Sequence, residues 1–446
     1  MLTLQGYKLD KNNVPNLIQL KTALTVRPYI PSVFVKPQYV QKYPVFVETK
    51  DHIYVPKHYG IAEFGVPSRS EREVPKTDSA FWVFEGKIRE NQVEVVNSYL
   101  TPEPRDGIIS LQTGGGKTVC ALYIASKIQM PTIVLVHNTF LRDQWIDRIK
   151  AFLPKARIGS LQADVVDIDN KDITVAMLQS VALKEYPKGT FERFGLVIVD
   201  ECHHIASEAF SRAVPKLTCK HMLGLSATPE RKDRLMNVIN WFLGPMLYKS
   251  DAGDKVDEKV KVEVYEFTGD EKYNEVIYNN SGVMFTTLMI NKVVEYEPRN
   301  TMVAGLIEDL AHEEGRQLLV LTDRVGHTKT LFNLLPDEMK DKACILGRDV
   351  VAKTRAEWCS TKKILIATYQ MCKEGFDVAT LNTLVIATPR PDVDQIVGRI
   401  LRVEKSKRTV DPLIVDIVDE SFRRQFQERL SLYKKRNYTV EKMKLL

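Results

Sequence analysis

Between residues 107 and 226 the chain repeats one pattern, a short apolar run followed by a longer amphipathic stretch. The runs are Ile108-Ile109-Ser110-Leu111, Ile133-Val134-Leu135-Val136, Thr174-Val175-Ala176-Met177-Leu178 and Leu196-Val197-Ile198-Val199, and His221 to Ser226 closes the series. Strands apolar on both faces need helices on both sides, so the pattern predicts a parallel sheet inside an α/β domain. A second series follows at Leu318–Leu321, Ala343–Leu346, Ile364–Ala367, Thr383–Ile386 and Leu413–Val415. Between the two lies the polar stretch Asp251-Ala252-Gly253-Asp254-Lys255, a linker by composition, then a strand over Val260–Phe267 and a helical stretch from about Glu271 to Val294. Residues before 85 read differently. Pro28, Pro31, Pro37, Pro44 and Pro56 punctuate short β-prone runs such as Val33-Phe34-Val35 and Val45-Phe46-Val47. The expected architecture is α/β: two tandem parallel-sheet domains, 86–250 and 255–446, behind a small mainly-β N-terminal domain, 1–85.

Composition narrows the setting. The chain has 446 residues, enough for two or three cored domains, with 44% hydrophobic and 27% charged residues. No apolar run approaches the length of a membrane span, and the N-terminus lacks the shape of a signal peptide, so a cytoplasmic location is expected and no membrane partner. The six cysteines form no Cys-x-x-Cys pair, which argues against a zinc ribbon or iron–sulfur cluster. The net charge of +6 is uneven: residues 421–446 hold eight Lys/Arg against two Asp/Glu, and residues 1–60 hold eight against three. Clustered positive charge suits a phosphate backbone, and a solvated helix face explains each patch equally well.

The loop after the first apolar run reads Gln112-Thr113-Gly114-Gly115-Gly116-Lys117-Thr118 and leads into a helix. Glycines let backbone amides approach phosphates, and the helix points its positive end at them. Lys117 would reach the β- and γ-phosphates of a nucleotide, with Thr118 on a magnesium ion. The strict phosphate-loop pattern wants glycine at 111, where this chain has leucine. After the fourth run comes Asp200-Glu201-Cys202-His203-His204. Asp200 at a strand's carboxyl end would hold the magnesium, and Glu201 would orient and deprotonate a water.

These segments resemble motifs I and II of superfamily 2 helicases of the Asp-Glu-x-His type. Further motifs appear in order. Ser226-Ala227-Thr228 resembles motif III, Gly375-Phe376-Asp377 motif V, and Gln395-Ile396-Val397-Gly398-Arg399-Ile400-Leu401-Arg402 motif VI, while Arg89 and Gln92 resemble the upstream adenine-reading element. The resemblance spans residues 89 to 402, and superfamily members tolerate a missing first glycine. It implies two RecA-like domains, ATP and Mg2+ as cofactors, and ATP hydrolysis. It assigns Lys117, Asp200, Glu201, Gln395, Arg399 and Arg402 to catalysis, and Thr118 and Asp200 to the metal. Nucleotide contacts fall to Arg89, Gln92, Thr113, Gly114, Gly115, Gly116, Lys117, Thr118, Gly375 and Asp377. Coupling falls to His203, His204, Ser226 and Thr228. Arg399 and Arg402, at i and i+3 near one face of a helix, are expected to act as arginine fingers, which are worth roughly 10³–10⁵ in turnover.

Polar residues just past strand ends are candidate nucleic-acid contacts: Asn138, Arg142, Gln179, Ser180, Thr322, Arg324 and Thr368. Thr-Pro-Glu-Arg-Lys-Asp after motif III and the strand with Asp416 and Asp419 after motif VI resemble the branch containing XPB, UvsW and RecG. The Pro- and aromatic-rich start resembles helicases of large phages and large DNA viruses. About 18 residues separate Asp377 from Gln395, too few for a long strand-splitting hairpin, so a wedge would have to come from elsewhere, with the N-terminal domain the natural candidate. Its aromatics at 29, 34, 39, 43, 46, 54, 59 and 64 would mostly form its own core, with one or two left to stack on bases. The resemblance implies a helicase or translocase acting as a monomer on forked or Holliday-junction DNA, with replication or recombination proteins as partners. A viral transcript-release or RNA helicase, and a nucleotide-gated clamp without processive motion, stand as alternatives.

Overall fold

The computed structural model describes residues 1–3, 5–29, 40–67, 82–112, 114–187, 189–204, 212–217, 219–227, 235–250, 259–279, 282–347, 349–373, 378, 380–401, 403 and 407–444, with residues 204, 352, 373 and 395 described by backbone alone. The chain divides into two compact units, Met1–Ser250 and Asp251–Leu446.

The first unit begins with strands β1 (Leu2–Thr3), β2 (Gly6–Asp10), β3 (Thr25–Val26), β4 (Tyr43–Pro44), β5 (Val47–Glu48) and β6 (His52–Val55). They form an antiparallel sheet in the order β1-β2-β6-β5 and a separate β3–β4 ribbon. Helices Leu17–Ala23 and Lys57–Phe64 accompany them. The rest of the unit is built on β7 (Gly107–Ser110), β8 (Thr132–Val136), β9 (Ile158–Gln162), β10 (Val165–Asp167), β11 (Ile173–Met177), β12 (Leu196–Val199), β13 (His221–Ser226) and β14 (Met246–Lys249). Their order is β10-β9-β11-β8-β12-β13-β7-β14, and every pairing except the β9–β10 hairpin is parallel.

Side chains alternate across a strand, so one run feeds two cores. Ile108, Ile133, Leu135, Val197 and Val199 enter one core, while Ile109, Val134, Val136 and Ile198 enter the other, beside helices Glu90–Leu100, Lys117–Ile128 and Thr139–Phe152. The first core also contains Tyr7, Leu20, Leu24, Tyr43, Val45, Ile53 and Val55. The N-terminal sheet therefore has no separate core. It docks on the large sheet beside helix Met236–Leu243, with the Tyr59 and Trp241 rings edge to face at 5.2 Å. Buried Asp106 secures the junction: it takes Lys57 at 2.5 Å and His58 at 3.2 Å, and accepts from the Met222 amide at 3.0 Å. Gly60 is required there, because a Cβ would lie 2.3 Å from the Tyr7 ring.

The second unit is a seven-stranded sheet of β15 (Lys261–Phe267), β16 (Leu318–Thr322), β17 (Ala343–Leu346), β18 (Ile364–Thr368), β19 (Thr383–Ile386), β20 (Leu413–Asp419) and β21 (Thr439–Met443). The order is β17-β18-β16-β19-β20-β15-β21, parallel throughout. Helix Glu297–His312 covers one face and helix Arg423–Lys435 the other.

Two sequence expectations change here. The helical stretch from Glu271 to Val294 is two helices, Glu271–Asn274 and Thr286–Glu295. Between them Asn279 accepts from the Val283 amide at 3.0 Å, a local bond that competes with helix. The basic stretch 421–446 is also more than a helix face: β21 follows helix Arg423–Lys435 and adds an edge strand to β15. The linker 251–255 and the end of the N-terminal segment, 68–81, lie outside the described residues.

Candidate nucleotide site and nucleic-acid edge

The loop from β7 into helix Lys117–Ile128 is shaped by its own backbone. Leu111 extends β7, its amide donating to the Ser226 carbonyl at 3.0 Å. A residue in strand pairing needs no special backbone freedom, which explains why leucine is accepted at 111. Gly114 and Gly116 do need that freedom, with φ of +81° and +86°. At Gly116 a Cβ would also strike Gln92 Nε2 at 2.2 Å. Gln92, at the start of helix Glu90–Leu100, donates to the Gly115 carbonyl at 3.0 Å while its Oε1 accepts from the Arg89 amide at 2.9 Å. Gln92 thus lies directly against the glycine loop, with the Arg89 amide tied to its side chain. Helix Lys117–Ile128 opens at Gly116 with its first amides facing the loop, the arrangement that attracts phosphate.

Two strands away, β12 delivers Asp200 into a buried position. Trp145 Nε1 donates to Asp200 Oδ2 at 2.8 Å, and the Glu201 amide donates to Oδ1 at 2.9 Å. Burial first, and then the charge of Glu201, push the Asp200 carboxyl up to about 6, against the opposing pull of Lys117 and Trp145. A buried carboxylate held at such a cost suits a divalent cation, and the Thr118 hydroxyl is of the right donor type to share it. Glu201 sits at φ +47°, a strained region for a residue with a side chain. Its Oε1 pairs with Lys117 Nζ at 2.8 Å, and its Oε2 lies 3.3 Å from His203 Nδ1 and 3.4 Å from the Ala227 amide. His203 Nδ1 is 2.8 Å from Ser226 Oγ. Burial pushes the Cys202 thiol far up, so it is an inert core group.

Trp145 went unnoticed in the sequence. A tryptophan on an amphipathic helix reads as core, and nothing in its spacing shows that its ring nitrogen meets the carboxylate of Asp200.

The strand-end candidates of the first unit come together, because β9, β11 and β8 are neighbours. Asn138 Oδ1 accepts from the Leu141 amide at 2.8 Å, capping helix Thr139–Phe152. Arg142 pairs with Asp143 and bonds Gln162. Gln179 Nε2 donates to the His137 carbonyl at 3.0 Å, and Ser180 Oγ accepts from the Ala163 amide at 3.0 Å. The result is one polar ledge with Gln179 exposed.

In the second unit Thr322 is corrected as a candidate contact. It is fully buried, its hydroxyl 2.6 Å from His327 Nδ1, so it offers nothing to a ligand. Burial, with help from the Arg299 charge, pushes His327 down to about 3 and keeps it neutral. Arg324 donates to Asn291 at 3.0 Å and pairs with Asp323. Thr368 Oγ1 accepts from the Met371 amide at 3.2 Å. In motif VI the helix covers only Asp394–Val397; Arg399 follows in a turn whose amide donates to Ile396 O at 3.0 Å. The expected helix face carrying both arginines is thus absent at Arg399, since Gly398 is a poor helix residue. Thr113, Thr228, Gly375, Phe376, Asp377 and Arg402 lie outside the described residues, as do the side chains of His204 and Gln395.

Of the aromatics before residue 65, Tyr43 is buried, Phe46, Tyr54 and Tyr59 are half-buried, and Tyr29 and Phe64 are exposed; Phe34 and Tyr39 fall outside the described residues. In the C-terminal helix Phe426, Arg429 and Tyr433 face inward. No helix among the described residues is long and apolar enough to cross a membrane.

Comparison with known proteins agrees with this geometry. Residues 85–231 match the family model "Type III restriction enzyme, res subunit". A "Putative ATP-dependent RNA helicase" of Acanthamoeba polyphaga mimivirus is 31% identical across 99% of this chain and 86% of its own length. A protein of the same description from African swine fever virus (isolate Tick/Malawi/Lil 20-1/1983) is 26% identical across 84% of this chain and 77% of its own. Saccharomyces cerevisiae Dbp5 bound to RNA and ADP BeF3 shares the fold, with a TM-score of 0.55 over 80% of this chain and 89% of that one at 14% identity. The chain belongs to the superfamily 2 helicases, in the type carried by large DNA viruses, and is an ATP-driven enzyme.

Proposed function

We propose that this helicase works on branched DNA, unwinding forks or migrating four-way junctions, with the N-terminal sheet as a fixed wedge. The observation that carries the reading is the shared core of that sheet and the first parallel sheet. An appendage welded to a motor domain by apolar packing and a buried Asp106 moves as one body with it and can press against a junction.

In this reading Lys117 draws the β- and γ-phosphates, Gly114 to Gly116 offer backbone amides, and Gln92 with Arg89 reads the base. Thr118 and Asp200 hold magnesium, which when bound neutralises phosphate charge. Glu201 takes a proton from the attacking water once Lys117 turns to phosphate. In the motif V and VI roles, Arg399, Arg402 and Gln395, with Gly375 and Asp377, respond to the γ-phosphate. Ser226 and His203, with Thr228 and His204, carry the change outward. Asn138, Arg142, Gln179, Ser180, Arg324 and Thr368 supply backbone-phosphate contacts.

An RNA substrate is the second reading, favoured by the description of the mimivirus and swine fever virus relatives as putative RNA helicases. Purified protein tested with ATP and magnesium on DNA forks, four-way junctions and RNA duplexes decides between them. Junction-stimulated hydrolysis with strand displacement supports the DNA reading. Stimulation by RNA alone overturns it.

A further inference from the structure

Residues 387–394 leave β19 and lead into motif VI, and four side chains from separate parts of the second unit hold them. Arg299 Nη1 donates to the Ala387 carbonyl at 2.8 Å, and the Tyr369 hydroxyl donates to the Thr388 carbonyl at 2.7 Å. Arg429 Nη1 donates to the Arg390 carbonyl at 2.7 Å, and Arg436 Nη2 meets the Asp394 carboxylate at 2.7 Å. The Arg390 guanidinium itself stacks on the Tyr369 ring at 4.8 Å.

The two deepest of these arginines are built alike. Arg299 grips Asp419 with Nε at 2.6 Å and Nη2 at 2.9 Å, and Tyr273 donates to the same carboxylate at 2.6 Å. Arg429 grips Asp416 with Nε and Nη2 both at 2.8 Å, and Tyr433 donates there at 2.8 Å. Both aspartates lie on β20, and the side chains of both pairs are at most 1% exposed. Burying an ion pair costs desolvation that its attraction barely offsets, so such pairs are poor devices for stability alone. A forked guanidinium fixed on two sides, however, aims its remaining N–H with little freedom. In both pairs that N–H points at a carbonyl of the same short segment.

We infer that Arg299, Arg429, Tyr369 and Arg436 are positioning residues that fix the segment entering motif VI, and so set where Arg399 stands for the hydrolysis step. The inference rests on the reading of Arg399 as responsive to the γ-phosphate.

The test uses the full chain and nucleic-acid-stimulated ATPase. Arg429→Lys keeps a charge for Asp416 but cannot span Asp416 and the Arg390 carbonyl together. Arg436→Ala releases Asp394 at a site nearer the surface. Each lowers kcat, by up to about 100-fold for an ångström of misplacement, with KM for ATP unchanged; the melting temperature holds in Arg436→Ala and falls in the buried Arg429→Lys, so rates are compared well below every midpoint. The exchange Asp394→Arg with Arg436→Asp restores much of the rate lost in Arg436→Ala. Wild-type kcat in Arg429→Lys and Arg436→Ala, beside an inactive Arg399→Ala, overturns the positioning role and leaves the role of Arg399 standing. Wild-type kcat in Arg399→Ala overturns both. A loss that only follows falling melting temperature, with no recovery in the exchanged pair, also overturns the inference.

Discussion

Trp145→Phe isolates the contribution of a single buried hydrogen bond to the metal site. The indole is 1% exposed, and its Nε1 is 2.8 Å from Asp200 Oδ2. Phenylalanine keeps most of the ring packing and removes the donor. A hydrogen bond to a charged group is worth about 1.5–3 kcal/mol, and the buried site admits no easy replacement. If Asp200 holds the cation, that energy reappears as weaker binding, roughly 10- to 150-fold in the magnesium needed for half-maximal hydrolysis. Outer partners of metal ligands elsewhere cost roughly 10–100-fold, which places the expectation toward the lower part of that range. The smaller ring also leaves a cavity costing about 1–3 kcal/mol in stability, so the assay runs well below both melting temperatures. ATPase is titrated with magnesium at saturating ATP for wild type and variant. Nucleotide binding without magnesium, followed with a fluorescent analogue, should be unchanged. An unaltered magnesium midpoint in a folded variant would refute the argument that Trp145 holds Asp200 in place for the ion.

Other perturbations probe the remaining parts. Lys117→Ala should abolish hydrolysis, and nucleotide-binding isotherms should show the loss at the binding step. Gln92→Ala removes the tie to the Gly115 carbonyl, so KM for ATP should rise about 5- to 10-fold for a net loss near 1 kcal/mol, read from steady-state kinetics across nucleotides. Asp106→Asn breaks the buried link to Lys57 and His58 and should cost roughly 3–5 kcal/mol, measured by denaturant unfolding. Burial raises the Asp106 carboxyl, but His58 and Lys57 outweigh it and the net shift is downward. Its stabilisation is therefore complete above the ordinary value of 3.8 and is lost as pH falls through the depressed folded value. The gap between wild type and Asp106→Asn should accordingly hold from neutral pH down to the ordinary value of 3.8 and shrink only below it. Ser226→Ala and His203→Ala should be strongly non-additive in kcat, because the two side chains touch; additive losses would separate their roles.

How much of this was legible in the sequence depended on how local each signal was. The apolar runs at 133–136 and 196–199 could only be buried strands, and the glycine loop and Asp200-Glu201 sit where such strands end. The standing of the N-terminal segment was not legible, because a β-prone run such as Val45-Phe46-Val47 predicts a strand without showing what it packs against. Here it is the face of a second sheet. Thr322 looked like a ligand-facing residue because it ends a strand, but His327, five positions on, occupies its hydroxyl. β21 was hidden because Thr439-Val440-Glu441-Lys442-Met443 is an edge strand with mostly exposed side chains, so it carries no apolar run. The pairing of Arg299 with Asp419 spans 120 positions, and no spacing rule reaches that far.

The proposed nucleotide site is a closed circuit of contacts, and this bears on how hydrolysis could be transmitted. Lys117 meets Glu201, Glu201 meets His203 and the Ala227 amide, His203 meets Ser226 Oγ, and the Ser226 carbonyl meets Leu111, at the root of the loop that ends in Lys117. On the proposed reading, a phosphate drawing Lys117 away takes one charged partner from Glu201, whose backbone is already strained. The carboxylate then has reason to turn, and His203 and Ser226 are the groups that feel it. Ser226 ends β13, the strand lying between the phosphate loop's β7 and the β12 of Asp200. If the loop takes phosphate as proposed, a change in its occupancy would reach the strand joining both halves of the site through side chains that already touch.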